Sequence, residues 1–280
     1  GVALTGSEEN PAYATTDDSG AVIVGSASEN NYNIKWDGST LTLDGAKIKG
    51  ADSSESLYAT VGIYAFSNPG DVSLNIALKG VNEIFESSAG IWVYSSSDNA
   101  GAVTLTIEGE GSLNASGSSS GILVQSNSGD ATLTIQNADV TAENSSYSGD
   151  GVTVRAGSSS SASLAVEGGS LTATGKSEYC AGIRYTFGSS SSGSGKPSLT
   201  VSDSAIVKAN GNGGEGGISD NSSTDIQIGK GDNSSGGIVF DGNQGTVYGS
   251  VELQDNLTID DDENLTIGKD ASLTIPNNIT

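Results

Sequence analysis

The stretch Gly90-Ile91-Trp92-Val93-Tyr94 opens the unit from which the chain is built. A Ser/Asp/Asn/Gly loop follows, then the run Thr-Leu-Thr-Ile at 104–107, a glycine turn and a third β-like run at 112–116. Self-similarity at a fixed period of this size is typical of solenoid proteins. A glycine followed by Ile or Val opens equivalent units at Gly62, Gly90, Gly121, Gly151, Gly182 and Gly217, at intervals of 28, 31, 30, 31 and 35 residues.

The middle piece of each unit shows the clearest strand pattern. Apolar residues alternate there with a period of two, which predicts β-strands. The pairs in six units are Leu41/Leu43, Leu74/Ile76, Leu105/Ile107, Leu133/Ile135, Leu164/Val166 and Leu199/Val201. Three strands in each unit of about 30 residues predict an all-β fold without substantial helix, a single-stranded right-handed parallel β-helix whose coils stack in register.

The whole chain, 1–280, is predicted to be one β-helix domain. Residues 1–30, which contain one apolar run at 21–24, are expected to form an irregular cap with a strand over the first coil. Long coils follow over 31–244. Three Leu-Thr-Ile segments, spaced by 8 residues at 257–259, 265–267 and 273–275, predict one shorter coil within 245–280. This tail is expected to continue into further modules, and the absence of Met favours a processed form of the protein.

The charge balance disfavours two classes of partner. Eleven basic residues stand against 34 acidic residues, which gives a formal net charge of -23. This charge repels phosphate backbones and anionic lipid surfaces, so nucleic acid and membranes are not expected partners. The absence of His excludes Ser-His-Asp and Cys-His nucleophiles. The single cysteine, Cys180, allows no intrachain disulfide and is predicted to be a small buried corner residue.

Strand alternation predicts which residues of the opening strands face outward. The first and third residues after each opening glycine point inward, so the second and fourth point to solvent. On two adjacent coils these outward residues are all aromatic, in a chain with only 5% aromatic residues. Aromatic faces stack on the apolar faces of sugar rings, and amide and guanidinium groups bind hydroxyls or carboxylates. The predicted ligand-binding residues are Tyr64, Phe66, Trp92, Tyr94, Gln125, Arg155 and Arg184. The alternative is that another segment covers the aromatic residues and buries them.

Three other patterns in the sequence offer chemically active groups. Glu108 and Glu167 are predicted to lie two coils apart, a separation of about 9.6 Å, near the upper limit for an inverting acid and base pair. Outward Thr pairs on the middle strands are compared with ice-binding surfaces, but Thr is a common solvent-facing strand residue. The acidic run at 260–263 offers oxygen ligands for Ca²⁺. In each case a solvated outer face or turn is the favoured interpretation, and no cofactor is predicted.

The motifs carry a resemblance to a known group of proteins. The run Trp36-Asp37-Gly38-Ser39-Thr40-Leu41-Thr42-Leu43, with its repeats of Gly-Ile, Leu-Thr-Ile and Gly-x-Leu-x-Ala, resembles Firmicutes cell-surface β-helix proteins. It is also similar to right-handed β-helix carbohydrate-binding domains of clostridial secreted proteins. The resemblance implies a bacterial protein that is secreted or attached to the cell surface, and it carries over no catalytic residue.

Three functions follow as hypotheses. The favoured one is a non-catalytic, monomeric module that binds polysaccharide or a host or cell-surface glycan, or mediates adhesion, through the outward aromatic residues. The second is a polysaccharide lyase or hydrolase of the β-helix type, which needs carboxylates and a base on one face. The third is a structural stalk without a ligand of its own.

Overall fold

The computed structural model describes residues 4–23, 25–50, 60–96, 101–146, 149–188, 194–212, 216–231 and 234–280. They form an all-β solenoid of about six turns, with roughly 31 residues in each turn. No α-helix occurs in these ranges, and none of them holds a helix that is long and apolar enough to cross a membrane. The predicted β-helix is therefore confirmed.

Three parallel sheets run along the solenoid, and several strands bend at a corner and belong to two of them. The opening sheet contains β5 (Ile63–Ser67), the second half of β7 (Val81–Ser95), the second half of β9 (Ser112–Ser126), β11 (Asp150–Ala156), β13 (Ile183–Phe187) and β16 (Ile218–Asp220). The middle sheet contains β3 (Thr40–Asp44), β6 (Val72–Lys79), β8 (Val103–Glu108), the first halves of β10 (Ala131–Asn144) and β12 (Ser161–Thr174), then β14 (Lys196–Ser202) and β17 (Gln227–Lys230). The third sheet contains β4 (Lys47–Lys49), the remaining halves of β7, β9, β10 and β12, then β15 (Ala205–Asn210) and β18 (Gly236–Asp241).

The core consists of ladders of apolar residues stacked in register. Leu105 pairs with Leu74 on one side and with Leu133 on the other, and all three are buried. Successive coils lie about 4.8 Å apart, so each buried side chain packs on its counterparts one repeat away. Tyr185 is fully buried; its hydroxyl donates to the Ser198 carbonyl at 3.0 Å, and burial raises its pKa.

The register of the first coil differs from the prediction. Leu41 pairs with Ile76, and Leu43 pairs with Leu78, two residues later than the Leu74 and Ile76 equivalence that the repeat indicated. The reason is the length of β6, which continues through Lys79 before it turns. It aligns with β8 at its beginning and with β3 at its end. Asp44 consequently lies beside Lys79 and not beside Ala77.

The N-terminal region caps the middle sheet with two antiparallel strands. β2 (Ile34–Trp36) pairs with β3, and β1 (Ala12–Ala14) pairs with β2. A strand over the first coil was expected within residues 1–30, and β1 is such a strand. The described part of the apolar run, 21–23, forms no strand. Val22 makes only an isolated bridge to Thr16, Val22 and Ile23 are exposed, and residue 24 lies outside the described ranges.

The C-terminal region reverses direction at the end of the third sheet. β19 (Gln244–Glu252) pairs antiparallel with β18, and β20 (Asn264–Ile267) and β21 (Ser272–Thr274) then pair parallel with β19. The paired residues Gln244 and Asn264 are 20 positions apart, so the short coil exists, but it is shorter than the roughly 24 residues expected of three segments spaced by 8 residues. Of the three Leu-Thr-Ile segments, the one at 257–259 forms no strand.

β18 has both of its faces buried, because the C-terminal strands cover its outer side. Val239 packs into the solenoid core, whereas Ile238 and Phe240 belong to a second hydrophobic cluster with Val247. Lys208 on the neighbouring strand β15 lies 4.8 Å from the centre of the Phe240 ring. These contacts fix the C-terminal strands onto the outside of the third sheet. The boundaries of a single domain at 1–280 stay a prediction.

Candidate functional site

The four predicted aromatic residues form one contiguous cluster on the opening sheet, here called the aromatic strip (Tyr64, Phe66, Trp92 and Tyr94). β5 and β7 pair so that Tyr64 stands beside Trp92 and Phe66 beside Tyr94. Every neighbouring pair of rings is in contact. The ring centres are 5.9 Å apart for Tyr64 and Phe66, 5.5 Å for Tyr64 and Trp92, 5.7 Å for Phe66 and Tyr94, and 5.3 Å for Trp92 and Tyr94.

The four rings of the aromatic strip are not all coplanar. The rings of Tyr64 and Phe66 are inclined by only 12°, and those of Trp92 and Tyr94 by 26°. Phe66 is 48% exposed, and the other three rings are half-buried. An exposed phenylalanine next to three further rings on a strand face is the type of apolar patch that marks an interaction site.

Strand register extends the aromatic strip into two rows along the solenoid axis. The alternation of the sequence places the residues of both rows outward, as predicted, because Ile91, Val93 and their counterparts fill the core. The rows run from the first coil to the fifth. Row one is Tyr64, Trp92, Leu123, Thr153 and Arg184, and row two is Phe66, Tyr94, Gln125, Arg155 and Thr186.

Gln125 is positioned beside the aromatic strip by a residue that the sequence analysis missed. Asn127 donates from Nδ2 to the Tyr94 hydroxyl at 3.2 Å and to the Ser96 carbonyl at 2.9 Å. Its Oδ1 accepts from Gln125 Nε2 at 3.3 Å. Asn127 continues the outward alternation of Leu123 and Gln125 by one step, and that spacing is the signal that identifies it.

The two arginines have different environments. Arg184 Nε donates to Asp150 Oδ1 at 2.9 Å and to Oδ2 at 3.0 Å, and its Nη2 donates to the Tyr179 carbonyl at 2.9 Å. Both side chains of this ion pair are largely buried. The structure therefore gives Arg184 a structural partner, and this partner competes with the ligand role that the sequence predicted.

Among the residues with described positions, Arg155 forms one hydrogen bond, from Nη2 to the Gly188 carbonyl at 3.2 Å. No carboxylate of the described residues forms an ion pair with it, in contrast to Arg184. A guanidinium carries five N–H donors, so most of those of Arg155 remain for a ligand. Its single hydrogen bond still fixes the direction in which the side chain points.

The other candidate chemistries have ordinary structural roles. Glu108 and Glu167 stand two coils apart with Gln136 between them, as predicted, and Gln136 Nε2 donates to Glu167 Oε2 at 2.7 Å. Cys180 is buried, as predicted, with its Sγ near the Ser177 hydroxyl at 2.8 Å.

The last two residues of the acidic run at 260–263 contact other parts of the fold. Glu263 pairs with Lys208 at 3.1 Å, and Asp262 accepts from Asn243 at 2.8 Å. Among the residues with described positions, no three His, Cys, Asp or Glu side chains are grouped to hold a metal ion.

A cavity of about 810 Å³ lies at the N-terminal end of the solenoid, next to the aromatic strip. Its wall includes Trp36, Ile63 and Leu74 from the first coils, and Tyr64 belongs to both the cavity wall and the aromatic strip. Ile63 and Leu74 keep a little solvent contact, whereas their counterparts Ile91 and Leu105 have none. The core of the first coil is therefore less completely covered from solvent than that of the following ones.

The arrangement offers stacking surfaces beside amide and guanidinium donors, on a sheet whose register holds them in place. Comparisons of the chain with protein-family models, with curated proteins and with solved structures find no match.

Proposed function

We propose that the protein is a non-catalytic, monomeric module that binds carbohydrate through the aromatic strip, as a secreted or cell-surface protein of a bacterium. The observation that carries the proposal is the contact of all four rings on two adjacent coils. Sugar rings have apolar faces that stack on aromatic side chains, and stacking needs no buried pocket.

The spacing of the surface supports a chain-like ligand. Residues of one row recur about every 4.8 Å along the axis, close to the length of one sugar unit in an extended polysaccharide. Phe66 and Tyr94 occupy successive positions of row two, so two adjacent sugars of one chain can each stack on a ring. The Gln125 side chain is next in the row, held by Asn127.

Trp92→Ala is expected to weaken glycan binding by about 2 kcal/mol or more, roughly 30-fold, because Trp92 contacts two other rings and anchors the aromatic strip. A glycan array followed by calorimetry on the best glycan measures the loss. Tyr32→Ala is the matched control, since it removes a ring that lies in the N-terminal cap, 5.2 Å from the ring of Tyr13.

Circular dichroism and thermal unfolding establish that both variants fold. A glycan that binds the wild type and Trp92→Ala with equal affinity would exclude the aromatic strip as the site. An array without any bound glycan would reject the proposed function and favour a structural stalk.

A further inference from the structure

We infer that the ligand of this surface is an anionic glycan of at least four sugar units, with its chain parallel to the solenoid axis and a negatively charged group over Arg155. The inference rests on the proposed function and adds to it the charge, the minimum length and the direction of the ligand.

The direction follows from the register of row two. β5, β7, β9 and β11 pair without a break here, so that Phe66, Tyr94, Gln125 and Arg155 occupy four successive coils. Three spacings separate the first from the last, about 14 Å. A straight chain that stacks on Phe66 and Tyr94 reaches Gln125 with its third unit and Arg155 with its fourth.

The negative charge of the proposed ligand is inferred from the contacts and burial of Arg155. Five of the eleven basic residues form ion pairs with carboxylates of the described residues, and Arg155 is one of the six that do not. Arg155 is half-buried and anchored to the Gly188 carbonyl, so it loses little freedom when it binds. A planar guanidinium matches the two oxygens of a carboxylate or a sulfate.

The alternative position for the charge is Arg184 in row one, and its ion pair with Asp150 argues against it. Asp150 Oδ1 also accepts the backbone N–H of Ala181 at 2.8 Å, so the carboxylate is held where it neutralises the guanidinium. Row one continues from the aromatic strip into Leu123 and Thr153, which offer no charge. Row two alone combines rings, an amide and a guanidinium without a carboxylate partner.

The test uses three β-1,4-linked glucose tetramers of equal length: the neutral one, one oxidised to uronates and one sulfated at the same carbon. Calorimetry is carried out in about 0.15 M salt, which screens the net charge beyond about 8 Å. The wild type is expected to bind an anionic tetramer about tenfold more tightly than the neutral one, through a charge-assisted hydrogen bond. The comparison between the uronate and the sulfate tells which anion fits.

Arg155→Gln is expected to abolish the preference for the anionic tetramer, so that the variant binds the anionic and the neutral tetramer with about equal affinity. Lys196→Gln is the matched control, since it removes the same charge from an exposed position on the middle sheet. The uronate dimer should bind both Arg155→Gln and the wild type equally, because two units stacked on the rings do not reach Arg155.

The outcomes separate the inference from the proposed function. If charged and neutral tetramers bind alike and Arg155→Gln changes neither, the inference is wrong and the glycan-binding function stands. A charge preference already present in dimers would contradict the proposed direction of the chain. If none of the tetramers binds the wild type, and the glycan array is also blank, the proposed function fails and the inference fails with it.

Discussion

Gly151→Ala is expected to lower the free energy of unfolding by about 3 kcal/mol or more, since extra atoms in a close-packed interior displace their surroundings. Gly151 is one of the opening glycines of the repeat and lies where the third strand of one coil meets the opening strand. A Cβ at this position would lie 2.7 Å from the Ala142 carbonyl oxygen and 2.8 Å from that of Gly182, and it would also contact the backbone nitrogen of Thr174. These are backbone atoms of neighbouring strands, which cannot rotate away.

Gly229→Ala is the matched control for this substitution. Gly229 lies in β17, and a Cβ there meets nothing within 4 Å. Its replacement is expected to be neutral or to stabilise by up to about 1 kcal/mol through the unfolded chain. Urea unfolding followed by circular dichroism measures both variants. Equal stability of the two would show that the repeated glycine is not required by the close approach of the coils.

Asp150→Ala is expected to destabilise the protein by about 3 kcal/mol, because it leaves the largely buried guanidinium of Arg184 without its charge partner. The same substitution removes the acceptor of the Ala181 N–H, and an unsatisfied buried donor adds to the cost. Arg184 is 23% exposed at its side chain and Asp150 is 9% exposed, so solvent screens the pair only in part.

Asp139→Ala is the control for Asp150→Ala. Asp139 is exposed and accepts a single hydrogen bond from the Ser170 hydroxyl, so its loss should change the free energy of unfolding by no more than about 0.5 kcal/mol. Thermal unfolding of the two variants and the wild type measures the difference. If Asp150→Ala is as stable as Asp139→Ala, Arg184 is not held by this ion pair and becomes available as a ligand-binding residue.

The repeat predicted most of the fold because the same physical requirement returns in every coil. Each inward position needs an apolar residue, and each corner beside the opening strand needs a glycine. The period of the sequence therefore predicted the register of Leu105, Leu133 and Leu164. It failed at Leu41, since the length of β6 depends on where its turn begins. The segment Leu43-Asp44-Gly45 matches Leu78-Lys79-Gly80, and an alignment on that glycine finds the observed register.

For the candidate site, the sequence predicted which side chains point outward, but it did not predict their hydrogen-bond and ion-pair partners. Strand alternation predicted that Trp92 and Arg155 point outward on one sheet. It could not distinguish Arg155 from Arg184, because the carboxylate that holds Arg184 comes from Asp150, 34 positions earlier in the sequence. Asn127 was missed because the alternation was followed only to Gln125, and Asn127 is the next outward position, one residue beyond the end of β9.

The reversal at the C-terminal end was not predicted for a related reason. The hairpin between β18 and β19 turns at Gly242 and Asn243, and an Asp-Gly-Asn segment in a chain with 40 glycines is a weak signal. The buried face of Phe240 could have indicated it, since a strand with apolar residues on both faces must be covered on both.

The stacking of sugar rings on the aromatic strip is tested most directly by a fluorescence titration of the Trp36→Phe variant with the glycan that binds best. The chain has two tryptophans, and this variant leaves only Trp92, at the centre of the aromatic strip. We predict a saturable change in its emission with the Kd that calorimetry gives, and a lower rate of quenching by acrylamide in the complex. Binding by calorimetry with unchanged emission and unchanged quenching of Trp92 would contradict the claim that sugar rings stack on the aromatic strip.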